Sequence, residues 1–215
     1  MAKSKQTPVG SATREALILA AERLIADRGI DGVSLRQINS EAGQRNSSAA
    51  HYHFGSKNAL IRSIYEYRLD SVNRRRQAML DTLVDAGRER DVRGIVATFI
   101  RPIVDEIRGS EGGSFYIRFL SQAVGHPQAD ARDYAGSILT DAAMTAYELL
   151  RQALPDIDDP ILGQRFGLMW EMIIHSLADR ERYADPAASD ADLFVENLID
   201  TVAGGLAAPV STGAA

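Results

Sequence analysis

Residues 34–57 read SLRQINSEAGQRNSSAAHYHFGSK, and the folding of this stretch decides how the rest of the chain is read. Ser34 with Gln37 three places on has the spacing of a capping box, in which each side chain satisfies an amide left open at a helix start. The helix so begun carries Leu35 and Ile38 inward, and Gly43 stops it. Asn46, Ser47 and Ser48 offer cap oxygens for a second short helix with Ala49, Ala50, Tyr52 and His53, which Phe54-Gly55 breaks. Two short helices joined by a glycine-containing turn form a helix-turn-helix. The second presents small or hydrogen-bonding side chains (Ser47, Ser48, His51, Tyr52) where a core helix would present leucine, which suits a groove and its phosphates.

Working outward, apolar residues before this stretch fall at Leu17, Ala20, Ala21, Leu24 and Ile25. They form the stripe of an amphipathic helix with Thr13 as its cap and Gly29 as its end. Residues 1–11 are polar and are expected to be a flexible arm. After it, Ser56 caps a helix expected from Lys57 to near Leu83, with Leu60, Ile61, Ile64, Tyr65, Leu69 and Val72 inward. Lys57 stands in its first turn, where a cation opposes the helix dipole unless an anion is close. It is either a solvated surface lysine or a phosphate contact. Arg74-Arg75-Arg76 is expected to be a solvated face.

The remainder stays helical. A helix from about Val92 to Ile107 contains Pro102, which removes a donor and should kink it. Further helices are expected at 115–124, 133–154, 160–179 and 191–206, the third of these apolar on more than one face, as Ile161, Leu162, Phe166, Leu168, Met169, Met172 and Ile173 indicate. Residues 207–215 read as a frayed tail.

Composition bounds the function. Of 215 residues 45% are hydrophobic and none is cysteine, so disulfides, thiolate metal sites and cysteine nucleophiles are excluded. No apolar run is long enough to span a bilayer, and a soluble cytoplasmic protein without membrane partners is expected. The net charge of −5 is uneven. Residues 1–76 hold 13 Lys and Arg against 7 Asp and Glu, a balance of +6, and residues 77–215 hold 11 against 22, a balance of −11. A basic head and an acidic body fit a protein that docks on DNA by one end.

His51 and His53 alternate, so on a helix they point about 200° apart and cannot readily share a metal ion. His126 and His175 are the other histidines, and no metal site or cofactor is expected. No nucleophile-elbow pattern surrounds any serine, and no glycine loop suited to phosphates is present. An enzyme is therefore not expected.

From about Thr13 to Leu60 the chain resembles the N-terminal DNA-binding domain of TetR-family transcriptional regulators, the resemblance resting on Tyr52-His53-Phe54-Gly55-Ser56-Lys57-Asn58-Ala59-Leu60. It implies an all-α protein in which a three-helix helix-turn-helix domain (12–57) is joined by a long helix to a larger helical ligand-binding and dimerisation domain (58–206). The implied function is a regulator, expected to be a repressor, that a small and largely apolar effector releases from a pseudo-palindromic operator of double-stranded DNA. On this reading Gln44, Arg45, Asn46 and Ser47 reach base edges. Thr13, Ser34, Arg36, Tyr52 and Lys57 meet phosphates, with Ser48 beside them, and His53 closes the helix end.

The resemblance also implies an effector pocket. Phe99, Ile103, Tyr116, Phe119, Tyr134, Met144, Tyr147, Phe166, Met169 and Trp170 are the candidates, because aromatic and methionine side chains with a few polar tips suit one. A homodimer through the last two helices is expected, with Ile161, Ile173, Leu193, Phe194, Leu198 and Val202 in a four-helix interface. The long fourth helix is then the natural lever between effector and DNA. The alternative is a helical small-molecule-binding protein or enzyme without DNA binding. A protein-interaction module of helices leaves the basic head unexplained.

Overall fold

The structure is a computed structural model, which describes residues 8–46, 48–109, 115–127, 141–183 and 191–211. The helices are α1 (Pro8–Arg28), α2 (Leu35–Glu41), α3 (Ala49–Phe54), α4 (Lys57–Asp85), α5 (Val92–Gly109), α6 (Tyr116–Ala123), α7 (Asp141–Ala153), α8 (Asp159–Tyr183) and α9 (Ala191–Ala207). No strand occurs among the described residues, so the all-α expectation holds. None of the described helices is long and apolar enough to cross a membrane. The chain divides into two compact units, Met1–Leu69 with Arg118–Ile138, and Asp70–Ile117 with Leu139–Ala215.

In the first unit the stripe read from the sequence is the core. Leu17, Ile18, Ala21, Leu24 and Ile25 of α1 are buried with Ile38 of α2 and Ala49 and Ala50 of α3. Leu60, Ile61, Ile64 and Tyr65 of α4 join them, as do Phe119, Leu120 and Ala123 of α6. Each large aliphatic side chain so buried contributes roughly 1.5–3 kcal/mol. α1 starts at Pro8 rather than at Thr13. Proline suits a first helical position, where its missing N–H has no partner to lose, and nothing between Pro8 and Thr13 breaks the helix. Thr13 is thus inside α1 and not its cap.

Two links tie α1 to α4. Arg68 reaches back to Glu22 through Nε to Oε2 at 2.8 Å and Nη2 to Oε1 at 2.9 Å, a bidentate pair in which both residues are buried. Tyr67 donates its hydroxyl to Glu15 at 2.6 Å. The part of α6 that belongs to this unit lies against the end of α1: Arg118 pairs with Asp27 at 3.2 Å and His126 with Asp31 at 3.3 Å, and Phe119 meets Tyr65 edge to face at 5.2 Å.

In the second unit α5 packs on α7 and α9, and α9 on α8. Asp91 caps α5, accepting the Gly94 amide at 3.0 Å. Pro102 lies within the helix as expected. Its missing N–H withdraws a donor from the Thr98 carbonyl, and the Arg76 Nε of α4 donates to that oxygen at 3.2 Å. The three successive arginines of α4 therefore differ, against the expectation of one solvated face. Arg74 pairs with Asp70 on the surface, Arg75 reaches Glu106 at 2.8 Å, and Arg76 is buried.

The tail is also tied down further than expected. Arg165 donates from Nη1 to the carbonyls of Leu206 and Ala208 at 2.7 and 2.6 Å and from Nη2 to Pro209 at 3.3 Å. A guanidinium among the last carbonyls of a helix also opposes its negative dipole end.

Candidate nucleic-acid interface

The helix-turn-helix forms as its sequence dictates. The Ser34 amide donates to Gln37 Oε1 at 2.8 Å, and the Gln37 amide donates to Ser34 Oγ at 3.3 Å, so the capping box is complete. Gly43, at φ +66°, adopts the left-handed conformation that closes α2. The Gln44 amide then donates to the Asn39 carbonyl at 2.9 Å and the Gly43 amide to Ser40 at 3.1 Å, the paired bonds of a Schellman motif.

The start of α3 departs from the sequence reading. Ser48 occupies the cap position but makes no side-chain cap bond, and Ser47 lies outside the described residues. Asn46 contributes only to the turn, its Oδ1 accepting the Ser48 amide at 2.9 Å. The amide of Ala50 is satisfied instead by Asn39 Oδ1 of α2 at 2.8 Å. Asn39 is buried, and sequence reasoning missed it because its partner is eleven residues away. The other end of α3 is held by Arg14, whose guanidinium lies 5.3 Å from the Phe54 ring centre while Nη2 donates to Ser63 at 3.0 Å.

Held at both ends, α3 buries Ala49 and Ala50 and turns His51 and Tyr52 outward. Tyr52 is 84% exposed, the most exposed large hydrophobic side chain among those described. Arg36, Arg45, Asn46 and Ser48 are exposed as well, and neither Arg36 nor Arg45 has an acidic partner among the described residues. These two unpaired guanidinium groups and a phenol form a surface able to donate to phosphates.

Other predicted residues are already engaged. Ser34 Oγ lies 2.8 Å from Gln37 Oε1, so its hydroxyl proton is spent inside the capping box. Gln44 is half-buried and its amide nitrogen donates to the Ala42 carbonyl at 3.1 Å. Lys57 is half-buried and donates to the Ile30 carbonyl, so a backbone oxygen relieves its position at the start of α4 without a phosphate. Its ammonium has two further protons. His53 is half-buried against Tyr52 and Phe54, at ring separations of 5.3 and 6.2 Å.

The predicted effector residues are only partly brought together. Phe166 meets Phe99 at 5.3 Å and Tyr147 at 5.0 Å, both edge to face, in the second unit. Ile103, Tyr116 and Met169 of the same unit are buried, and Trp170 is half-buried. Phe119 belongs to the first unit, where it packs on Tyr65. Met144 is 50% exposed, and Tyr134 lies outside the described residues. Among the predicted dimer residues, Ile173, Leu198 and Val202 are already buried within the chain and have no surface left to give. Leu193 is exposed, and Leu168 and Met172 are exposed on α8 beside it in kind.

A capped helix-turn-helix with an outward phenol and free cations defines a DNA-binding protein of helical architecture. Two family models match the chain: "Bacterial regulatory proteins, tetR family" over residues 17–64 and "Tetracyclin repressor-like, C-terminal domain" over residues 97–205. The second spans half of the chain, and the chain belongs to the TetR family of transcriptional regulators. It is thus a DNA-binding regulator and not an enzyme.

No curated protein matches the chain. Among solved structures, a TetR-family transcriptional regulator from Mesorhizobium loti MAFF303099 is similar at 16% identity and a TM-score of 0.50, covering 95% of this chain and 97% of the other. A TetR-family regulator from Streptomyces coelicolor A3 has 22% identity, coverage of 94% and 99%, and a TM-score of 0.44. AibR, solved with isovaleryl coenzyme A and operator DNA, has 19% identity, coverage of 92% and 100%, and a TM-score of 0.46.

Proposed function

We propose that this regulator is a homodimeric repressor that lays α3 in the major groove of a pseudo-palindromic operator and leaves it when a small molecule occupies the second unit. The observation that carries the DNA reading is the outward Tyr52 on a helix fixed by Asn39 and Arg14, with Arg36 and Arg45 near it in sequence and without an acidic partner among the described residues. Phosphate contacts fall to Tyr52, Arg36 and the remaining protons of Lys57, and base edges to Arg45, Asn46, Ser47 and Ser48. Thr13 and Ser34 contribute less on this reading, one lying within α1 and the other spending its proton on Gln37.

Exposed Leu168, Met172 and Leu193 on the last two helices support a dimer face there. Gly167 and Gly204 have open space where a side chain would stand, which lets a second backbone approach closely. A dimer spaces its two heads about 34–36 Å apart or a multiple of this, which is why the operator is read as a repeat. α4, whose residues belong to both units, is the lever of this account. An effector acts by preferring the form that DNA does not accept.

Selection of genomic fragments by the purified protein tests this. Enrichment of one inverted repeat, weakened by salt and abolished by some small molecule, is expected. A folded dimer that enriches nothing would refute it, and the reading as a helical small-molecule carrier would replace it.

A further inference from the structure

Arg76 is the buried charge that the DNA reading leaves unused. The side chain leaves α4 in the second unit and the residue is 3% exposed. Of the five N–H donors of its guanidinium, one goes from Nε to the Thr98 carbonyl and one from Nη1 to Asn73 Oδ1. The group lies 5.4 Å from the Phe99 ring centre, itself part of the cluster with Phe166 and Tyr147.

No carboxylate answers its charge among the described residues. Two acids, one on α4 and one on the facing α5, have partners of their own, Asp70 in Arg74 and Glu106 in Ser71 and Arg75, and neither bonds to Arg76. Burial accordingly pushes the guanidinium down to about 10, the direction expected of a cation kept from water without a counter-ion.

A structural role explains only part of this. The Thr98 oxygen, deprived of a donor by Pro102, needs one N–H, and a neutral amide or hydroxyl would supply it without the cost of burying a charge. A planar cation with three donors that no described residue accepts fits a planar anion that accepts two of them side by side. One unmatched positive charge calls for a monoanion, which favours a carboxylate over a phosphate dianion.

We infer that the effector carries a carboxylate, held by the fork of Arg76, and an apolar or aromatic body that lies against the Phe99, Phe166 and Tyr147 cluster. This rests on the reading of the second unit as the effector-binding part and gives that effector its chemical class, an amphipathic organic acid.

The test sets hexanoate, decanoate and phenylacetate against hexanamide, decanamide and phenylacetamide. Binding is read by the fluorescence of Trp170, the sole tryptophan, and by the melting temperature. In the unaltered protein at least one acid should bind tenfold or more tightly than its amide. Arg76→Gln should lose that preference, and Arg76→Lys, which keeps the charge but not the fork, should retain a part. A panel in which no acid exceeds its amide overturns the inference on the unaltered protein alone, whatever the variants do. So does a folded Arg76→Gln protein with the preference intact.

The same compounds are then added to the protein–operator complex. Release by amides only leaves the effector reading standing and the carboxylate wrong. Acids that bind through Arg76 without releasing DNA leave the carboxylate standing and the effector reading wrong.

Discussion

Asn39 Oδ1, on the first helix of the helix-turn-helix, accepts the backbone N–H of Ala50 on the second at 2.8 Å, within the core. This one bond joins the two helices chemically and fixes where α3 begins. Truncation to Asn39→Ala leaves a buried amide without an acceptor, and such a group costs about 1–3 kcal/mol. Urea denaturation should show a loss of that size, and operator affinity should fall with it as α3 loses its anchored start. Unchanged stability would mean that water or another residue takes over the amide.

The Arg68–Glu22 pair joins α1 to α4 inside the first unit. Removing one partner of a buried pair strands the other, at a cost of about 3–5 kcal/mol. Arg68→Ala should therefore lower the melting temperature well beyond what a surface substitution does. A loss under about 1 kcal/mol, the range of exposed pairs, would show the pair to be solvated.

α5 and α9 are laced by a ladder of charges, with Arg93 to Glu196 and Asp200 at 2.6 Å each, Arg101 to Glu196, and Arg108 to Asp192 at 2.8 Å. The Arg93 hydrogen bond is the main cause that holds the Glu196 carboxyl below its ordinary range. A depressed carboxyl stabilises the fold at pH above its unfolded value, near 4.5, and that stability is lost as pH falls through the folded value. Asp91, depressed chiefly by the Gly94 amide, acts in the same direction. Melting temperature should fall below about pH 4.5, and Glu196→Gln should flatten this slope. Both carboxyls are only half-buried and still meet solvent, so the effect should shrink in molar salt. A slope unaffected by Glu196→Gln would contradict it.

Arg165 donates to three carbonyls at the end of α9. Arg165→Ala should release residues 208–211 to proteolysis and cost about 1–3 kcal/mol. Cleavage rates equal to those of the unaltered protein would show that the tail is held by something else.

Much of the fold was legible because it is local. The capping box of Ser34 and Gln37, the stops at Gly29 and Gly43 and the Ser56 cap of α4 all depend on residues within four places of each other. The periodic stripes of α1 and α5 became core for the same reason. What escaped depends on distant partners. Asn39 reads as an ordinary polar residue of a short helix until Ala50 is seen beside it. Three adjacent arginines give no sign that the third turns inward to a carbonyl orphaned by a proline on another helix. Periodicity showed that α8 is apolar on more than one face, but not that Ile173 is covered within the chain while Leu168 and Met172 remain outside.

The claim that α3 presents Tyr52 to DNA is tested most directly by the affinity of Tyr52→Ala for the selected operator, measured by fluorescence anisotropy beside its melting curve. At 84% exposure the side chain supports little of the fold, so stability should stay within about 0.5 kcal/mol. A hydrogen bond to a charged phosphate is worth about 1.5–3 kcal/mol, so affinity should fall by roughly ten- to a hundredfold. An unchanged affinity in a protein of unchanged stability would contradict the account, because the outward phenol of the recognition helix would then not touch the DNA.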